Sequence, residues 1–262
     1  MFPVLVDMGF LKLRTYGACM AIGFLACWWL VEKLSGRRDL SNFMVSLMLG
    51  GVLGSRIAYV IEHWRSEFAA NPLNVFRIDQ GGLMFYGGLI LSILVFFTWC
   101  AIKKERPLAL GDFFCTVVPL GHAFGRLGCF FYGCCYGKLS ASRFAVRFPR
   151  HSPAWYGQIR EGLIDSSAGA SLPVFPVQLF EAALLLALFA ALLFIYLKWR
   201  RHTAGAYLIG YAAIRVATET LRGDPRATVL GLSISQAISL TMAAFGALLL
   251  AYGQSTRHNR RG

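Results

Sequence analysis

Long apolar stretches recur along the chain and are separated by short polar or basic segments. They lie at residues 15–31, 43–61, 83–102, 112–124, 177–197, 204–221 and 230–252. Several approach the roughly 20 residues that cross a bilayer as a helix. No soluble core helix needs apolar sequence of that length on every face. The pattern predicts an all-α fold, a polytopic membrane helix bundle of about seven transmembrane helices.

Two segments depart from this regular alternation. The fourth stretch, residues 112–124, is short and rich in glycine and polar residues, so we expect it inside the bundle, where its polar groups find partners. Residues 137–176 form the longest polar stretch, which we predict to be the main extracytoplasmic element. With no internal repeat and no second soluble region, the chain should form one integral membrane domain over residues 1–262.

The composition and the charge agree with a membrane protein. Hydrophobic residues make up 56% of the chain and charged residues 15%, against about 25% charged residues in soluble domains. A net charge of +13 would suggest nucleic acid in a soluble protein, but here the basic residues cluster between apolar stretches. The clusters are Lys33/Arg37/Arg38, Lys103/Lys104/Arg106, Lys198/Arg200/Arg201 and Arg257/Arg260/Arg261.

These four clusters indicate the orientation of the chain. Short cytoplasmic loops carry an excess of lysine and arginine, so all four clusters belong on the cytoplasmic side. An odd number of spans with the N-terminus outside and the C-terminus in the cytoplasm satisfies this condition. We therefore expect a multi-pass protein of the bacterial cytoplasmic (inner) membrane, in contact with the lipid bilayer and with no nucleic-acid partner.

Ionisable side chains within the apolar stretches are the candidate site residues. They are Arg56, Arg126, Arg215, Glu219 and, near a predicted helix end, Arg222. A charge inside the membrane costs at least about 2.5 to 3.5 kcal/mol, so each must face a partner or a wet cavity.

The spacing of Arg215, Glu219 and Arg222 at i, i+4 and i+7 predicts that they share one helix face. One interpretation is a buried structural ion pair between Arg215 and Glu219. Such a pair would leave the guanidinium of Arg222 without a carboxylate. Arg126 supplies a further guanidinium. Arginines that converge in a membrane cavity suit a phosphate group, because the guanidinium fork binds its oxygens bidentately and stays charged.

Glycines and cysteines surround Arg126 in the sequence. Glycines at 81, 82, 87, 88, 125, 128, 133 and 137 allow close helix packing and, together with Arg126, suggest a backbone-lined pocket. The cluster of Cys129, Cys134 and Cys135 fits no common zinc spacing, so we expect it to bind no metal. A redox role or a disulfide is an alternative on an oxidising face. Packing of small apolar side chains is the default interpretation.

Several motifs together resemble the phosphatidylglycerol:prolipoprotein diacylglyceryl transferase family. They are GGVLGSRIAYV, GGLMFYGGLI, GHAFGRLGCFFYGCCYG, FPVQLFEA and LIGYAAIRVATETLRGDP, and the resemblance covers nearly the whole chain. It implies a seven-helix, N-out enzyme that needs no cofactor. The implied reaction moves the diacylglyceryl group of phosphatidylglycerol onto the lipobox cysteine thiol of a preprolipoprotein and releases glycerol phosphate.

The resemblance also implies roles for individual residues. Essential phosphate-handling arginines fall at Arg126 and Arg215, the polar helix face at Glu219 and Arg222, a first-helix tyrosine at Tyr16 and a signature glycine at Gly137. We add Arg56 and Cys129 to the expected substrate-binding residues.

The chain departs from the family pattern where the base and its polar supports are expected. The family usually has a histidine before its paired glycines, where this chain has Tyr86. Asparagine, asparagine and glutamate of the usual GNF-x-N-G-E signature are here Cys129, Tyr132 and Cys134. His122, four residues before Arg126, offers another proton acceptor. Our hypothesis is that Tyr86 and His122 flank the donor glyceryl group and that one of them receives the thiol proton.

Two other functions remain open from the sequence alone. A paralogue could use the same lipid donor with a different acceptor, and a non-catalytic membrane protein could hold the lipid headgroup with the same arginines. A transporter is less favoured because the sequence shows no repeat of the kind that many carriers have.

Overall fold

The computed structural model describes residues 4–7, 12–77, 81–200, 202–224, 228–229 and 232–258. Of the basic clusters, Arg201, Arg260 and Arg261 lie outside these ranges. The α-helices are α1 (Thr15–Ser35), α2 (Arg38–Glu62), α3 (Phe85–Lys103), α4 (Pro107–Tyr132), α5 (Pro153–Arg160), α6 (Val177–Trp199), α7 (Thr203–Glu219) and α8 (Ile234–His258). A helix therefore occupies each of the seven predicted stretches, and α5 is an addition.

Six helices of the described part are long and apolar enough to cross a membrane: α1, α2, α3, α4, α6 and α8. The helix at the sixth predicted stretch, α7, has 17 residues. The prediction of a polytopic helical membrane protein is confirmed. The orientation of the termini and the extent of the domain stay predictions.

The remaining described elements are short. Two antiparallel ladders pair β1 (Val4–Asp7) with β2 (Lys12–Arg14) and β3 (Thr228–Val229) with β4 (Leu232–Ser233). One π-helical turn (Trp64–Phe68) and one 3-10 turn (Pro72–Phe76) follow α2.

The fourth helix is longer than the sequence pattern predicts. α4 runs for 26 residues, from Pro107 to Tyr132, so the expectation of a short fourth segment is wrong. Proline fits the first helical turn, where its missing N–H is not needed, and the glycine-rich run around Arg126 stays helical. Of the six candidate spans α4 is the most buried, at 44% of its best apolar window. Packing thus supplies the partners that its glycines and polar groups lack in lipid.

Two compact units divide the described chain. The first comprises Met1–Cys27 with Gly111–Gly262, and the second Trp28–Leu110. In the first unit, a core cluster of buried side chains joins α4, α6 and α7: Ala123, Ala182 and Leu185, with Leu127, Tyr211 and Ile214 packed against them. In the second unit, α2 and α3 meet at paired glycines. A Cβ on Gly88 would lie 2.7 Å from the carbonyl oxygen of Gly51, so only glycine permits this approach.

A buried carboxylate from α4 caps the N-terminus of α7. The carboxylate of Asp112 accepts hydrogen bonds from the backbone N–H groups of His202 (3.1 Å) and Ala204 (2.7 Å). The hydroxyl of Thr203 donates to the backbone carbonyl of Asp112 at 2.5 Å. An acidic group at a helix N-terminus satisfies free N–H donors and complements the helix dipole. This contact sets the start of α7 against α4.

The polar stretch between α4 and α6 has a fold of its own. Its core consists of Tyr136, Phe148, Ala154 and Val174, with Phe130 and Val146 alongside. Ser152 caps α5 by accepting a hydrogen bond from the N–H of Trp155 at 3.3 Å. The stretch is therefore a small packed element, and its extracytoplasmic position stays a prediction.

Candidate active site

A buried carboxylate on α6 joins two guanidinium groups from neighbouring helices. Arg126 Nη2 on α4 lies 3.0 Å from Glu181 Oε1, and Arg215 Nη1 on α7 lies 3.9 Å from Glu181 Oε2. The Glu181 side chain is only 1% exposed. Because removing a charge from water costs several kcal/mol unless a partner offsets it, these three groups depend on one another. Arg126 and Arg215, which the sequence predicts to converge, therefore lie together around this carboxylate.

The predicted polar face of α7 is present as far as Glu219. Arg215 Nη2 lies 2.9 Å from Glu219 Oε2, one helical turn away, and donates to the Ser235 hydroxyl at 2.9 Å. The ion pair that the i, i+4 spacing suggests is thus formed. Arg215 is therefore held through Nη1 by α6 and through Nη2 by α7 and α8.

The sequence argument did not identify Glu181. It is the one acidic residue in the otherwise apolar α6, so the criterion that selected Arg126 also applies to it. Its presence changes the expected charge balance. Two guanidinium groups, Arg126 and Arg215, face two carboxylates, Glu181 and Glu219, and the surplus of positive charge expected here is not found among these four described residues.

Two guanidinium donors in this cluster have no hydrogen-bond acceptor in the described part of the chain. They are Nε of Arg126 and Nη1 of Arg215, and both atoms are buried. Buried N–H donors are normally satisfied, and one left without an acceptor costs about 1 to 3 kcal/mol. Donors on two different arginines could therefore be completed by the oxygens of one phosphate group.

Arg222 does not share the helix face of Arg215. Since α7 ends at Glu219, Arg222 follows in a turn, and the expectation of a common face for all three residues is wrong. Arg222 instead makes a bidentate pair with Asp224, at 2.8 Å from Nε and 2.7 Å from Nη2. The Arg222 side chain is 3% exposed and that of Asp224 23%, so the guanidinium is buried while its carboxylate partner is partly exposed.

Gly137 lies where two chain segments approach closely. Its N–H donates to the Phe175 carbonyl at 3.1 Å, and its backbone pairs with that of Arg222. A Cβ at this position would lie 2.5 Å from the Phe175 oxygen and 3.0 Å from the Leu221 oxygen. Neither carbonyl can move without breaking the backbone pairing, so no side chain fits. Gly137 thereby holds the turn that carries Arg222.

Tyr16 packs on the glycine-rich run of α4. Its ring covers Gly128, where an added Cβ would lie 2.9 Å from the Tyr16 ring. Tyr16 is close enough to Arg126 and Cys129 for electrostatic interaction with both. Three of the predicted site residues, Tyr16, Arg126 and Cys129, therefore lie near one another.

The two candidate bases have different surroundings. His122 lies on α4 one turn before Arg126, and its ring centroid is 5.1 Å from that of Tyr211 on α7. Tyr86 is the second residue of α3, in the other unit. Its side chain is 56% exposed, and the centroid of its ring lies 5.7 Å from that of Phe85. Their roles stay predictions.

The guanidinium of Arg56 binds backbone carbonyl groups of its own chain. Its five N–H donors all reach backbone carbonyl oxygens within 3.2 Å, those of Asn74, Val75, Arg77, Gly81 and Gly82. A guanidinium has five N–H donors in total, so none is left for a lipid headgroup in this arrangement. The structure favours a role for Arg56 in holding the segment after α2.

We predict that Arg56→Ala lowers the free energy of unfolding by about 3 kcal/mol, since five hydrogen bonds to partly buried carbonyl groups are lost. Arg56→Lys, with three donors, should recover part of this loss. Hydrogen exchange of the full chain in detergent should show faster exchange in residues 72–77, with exposed Arg65→Ala as the control. Unchanged exchange together with lost enzyme activity would return Arg56 to the substrate-binding residues.

Comparison with known proteins shows the family of the chain. The model of the prolipoprotein diacylglyceryl transferase family matches residues 3–252. Three relatives named phosphatidylglycerol–prolipoprotein diacylglyceryl transferase align along nearly their whole length. The relative from Pseudoalteromonas translucida (strain TAC 125) is 33% identical, with 97% of this chain and 94% of the relative covered.

The other two relatives give the same result. The protein from Photobacterium profundum is 31% identical, covering 95% of this chain and 92% of its own. That from Salmonella choleraesuis is 30% identical, with 97% and 94% covered. With the family model spanning almost the whole chain and relatives of this identity, the chain belongs to the prolipoprotein diacylglyceryl transferase family.

Proposed function

We propose that this chain transfers the diacylglyceryl group of phosphatidylglycerol to the lipobox cysteine thiol of a preprolipoprotein, forming a thioether and releasing glycerol phosphate. The observation that carries this proposal is a pair of guanidinium groups, on Arg126 and Arg215, that both face Glu181 in a member of this family. Each has one buried N–H donor with no hydrogen-bond acceptor in the described part of the chain. A phosphodiester is the part of the lipid donor that two such guanidinium groups recognise.

In this reaction, Arg126 and Arg215 would bind the leaving group, which is the phosphate of the lipid donor. The acceptor sulfur forms a bond to a glyceryl carbon while the bond from that carbon to the phosphate oxygen breaks. The departing phosphate gains negative charge, which fixed guanidinium donors in a low-dielectric site stabilise. Glu181 and Glu219 orient Arg215 before the lipid arrives, so the site needs little reorganisation during the reaction.

The thiol must also lose its proton. With a reference pKa near 8.5, most of it is protonated at neutral pH. We assign the acceptor of this proton to His122 or to Tyr86. The hydroxyl of a neutral tyrosine is a weak base.

We predict that His122→Ala and Tyr86→Phe both slow transfer and that one of them removes the acidic limb of the pH–rate profile. A base must be deprotonated to work, so its loss removes the fall in rate at low pH. If both variants keep the wild-type rate and pH dependence, neither side chain is the base, and stabilisation of the thiolate by the arginine field becomes the better account.

We assign the protein to the bacterial inner membrane with the N-terminus outside, the C-terminus in the cytoplasm and residues 137–176 outside. The spacing of the basic clusters supports this orientation, and it accounts for the net charge of +13 without a nucleic-acid partner. Cysteine-accessibility tagging should place residues near Lys104 and residues near His151 on opposite sides of the membrane. Labelling of both positions from the same side would overturn the topology.

Transfer to a peptide tests the proposed function directly. The purified full chain is incubated with phosphatidylglycerol vesicles and a lipobox peptide, alongside the same peptide with serine in place of cysteine. We expect the mass of the diacylglyceryl group on the cysteine peptide alone. Lipid consumption with an unmodified peptide would favour a paralogue with another acceptor. Lipid binding without consumption would favour a non-catalytic lipid-binding protein.

A further inference from the structure

The turn after α4 gathers three cysteine side chains. The helix ends at Tyr132, and the N–H groups of Gly133 (2.9 Å) and Cys134 (3.2 Å) both donate to the Cys129 carbonyl. This folds the chain back over the last helical turn. The sulfur atoms of Cys129, Cys134 and Cys135 consequently all lie within 4.8 Å of one another.

The backbone of this turn is strained at one of the three cysteines. Cys135 has φ 59°, in the left-handed region that a residue with a Cβ rarely adopts. Gly133 also has a positive φ, of 84°, which costs a glycine little. Strain of this kind costs about 1 to 3 kcal/mol and concentrates at functional sites. Here it turns the Cys135 thiol toward the other two.

The separation of the sulfurs suits a small thiophilic ion. Three sulfurs at the corners of a triangle with 4.8 Å sides would each lie about 2.8 Å from its centre, and zinc–thiolate bonds measure about 2.3 Å. A contraction of about half an ångström therefore completes three bonds. Spacing along the chain predicts no metal here because it fits no common zinc pattern, whereas the fold brings the three sulfurs close together.

Charged and polar neighbours support thiolates at this position. The Arg222 guanidinium lies close enough to Cys135 for electrostatic attraction to a thiolate there, and Gln178 Nε2 donates to the Cys134 carbonyl at 2.7 Å. Arg126 interacts electrostatically with Cys129 and Cys135. Three thiolates around a cation carry net negative charge, which adjacent guanidinium groups offset. Groups that hold the ligands in place are a usual part of a metal site.

An open cavity gives access to the cluster. It measures about 500 Å³, and its lining includes Cys134, Cys135, Tyr136, Arg160, Arg222 and Asp224. An ion can therefore reach two of the three sulfurs from outside the helices. Solvent in the cavity can also supply a fourth ligand.

We propose that Cys129, Cys134 and Cys135 bind one soft metal ion, Zn²⁺ or Cu⁺, through three thiolates. On binding, three sulfur–metal bonds form, three S–H bonds break, and the protons pass to solvent. Zn²⁺ takes a fourth ligand from the cavity, whereas Cu⁺ is satisfied by three. The ion ties the end of α4 to the turn that leads to Gly137. This proposal does not depend on the transfer reaction.

The test is metal binding by the full chain, reconstituted in nanodiscs, reduced, freed of metal and then titrated with Zn²⁺ or with Cu⁺ alone. Elemental analysis should find about one ion per chain for one of the two metals. At an ion concentration 100 times Kd, the unfolding midpoint should rise by about 5 to 10 °C. Replacing Zn²⁺ by Co²⁺ should give the visible absorption of a cobalt–thiolate complex.

Cysteine variants distinguish ion binding at this cluster from ion binding elsewhere on the protein. Cys134→Ser and Cys129→Ala should each lower affinity at least about tenfold, and the triple alanine variant should bind no ion, whereas the control Cys115→Ser should behave as wild type. If a variant does not fold, counting protons released by the wild-type chain on adding the ion gives an independent measurement. Ion binding that survives in the triple variant would overturn the proposal. So would a wild-type chain that binds neither ion, whether its thiols stay free or form a disulfide.

Discussion

Alanine in place of Arg126 or Arg215 should abolish diacylglyceryl transfer while leaving the protein in the membrane. Each substitution removes a guanidinium from the proposed phosphate site, and the loss of one transition-state donor typically lowers the rate about a hundred- to a thousandfold. Lysine should rescue poorly at either position, because an ammonium lacks the planar fork that binds two oxygens. The measurement is the initial rate of peptide modification at equal amounts of membrane-inserted enzyme.

Arg143→Ala is the matched control for these two substitutions. Arg143 is exposed and stacks on the ring of Phe144, away from the buried cluster, so this variant should transfer at the wild-type rate. Near wild-type activity of either Arg126→Ala or Arg215→Ala would instead favour a structural ion pair. The phosphate group would then have to be held elsewhere.

Glu181→Ala should lower the free energy of unfolding by about 3 to 5 kcal/mol, the usual cost of leaving buried charges without their partner. The carboxylate is buried, and it faces both Arg126 and Arg215. Its removal therefore leaves Arg126 without the carboxylate it faces and Arg215 with Glu219 as its remaining acidic partner among the described residues. Glu181→Gln keeps the shape but not the charge, and it should destabilise less while still lowering transfer. Denaturant unfolding of the purified chain measures the stability loss.

A double variant distinguishes the ion pair from simple loss of packing. If the cost of Glu181→Ala comes from uncompensated charge, then adding Arg126→Ala should return part of the lost stability, since fewer charges remain unpaired. Glu62→Ala, at an exposed position at the end of α2, should have almost no effect. Additive losses in the double variant would mean that Arg126 and Glu181 act independently.

The helices could be predicted from the sequence because a bilayer imposes one length and one polarity on every span. The predicted extent of α4 was wrong because its glycines and polar residues are packed within the protein and need not end the helix. Residues 112–124 marked only the middle of α4, since the glycines and Arg126 that follow interrupt the apolar run without ending the helix. The position of Arg222 was wrong for a related reason. Periodicity gives a helix face but does not say where the helix ends.

The candidate site was only partly predictable. Arg126 and Arg215 were identified because a charge in an apolar stretch requires a partner. Glu181 meets the same criterion, but its place between them depends on how α6 packs, and no spacing along the chain contains that information. Arg56 is the opposite case. Its partners are backbone carbonyl groups. Every residue has one, so the sequence does not show which of them Arg56 contacts, and its charge alone suggested a ligand site.

The cap that Asp112 provides for α7 has a consequence for biogenesis. Its partners, from His202 to Ala204, lie 90 to 92 residues further along the chain. During synthesis α4 therefore leaves the ribosome with a carboxylate that has no partner until α6 and the start of α7 have followed. Because an acidic group in lipid is costly, we expect α4 to reach its final position only after α7 has followed. Completion of this half of the protein is then a late and concerted step of membrane insertion.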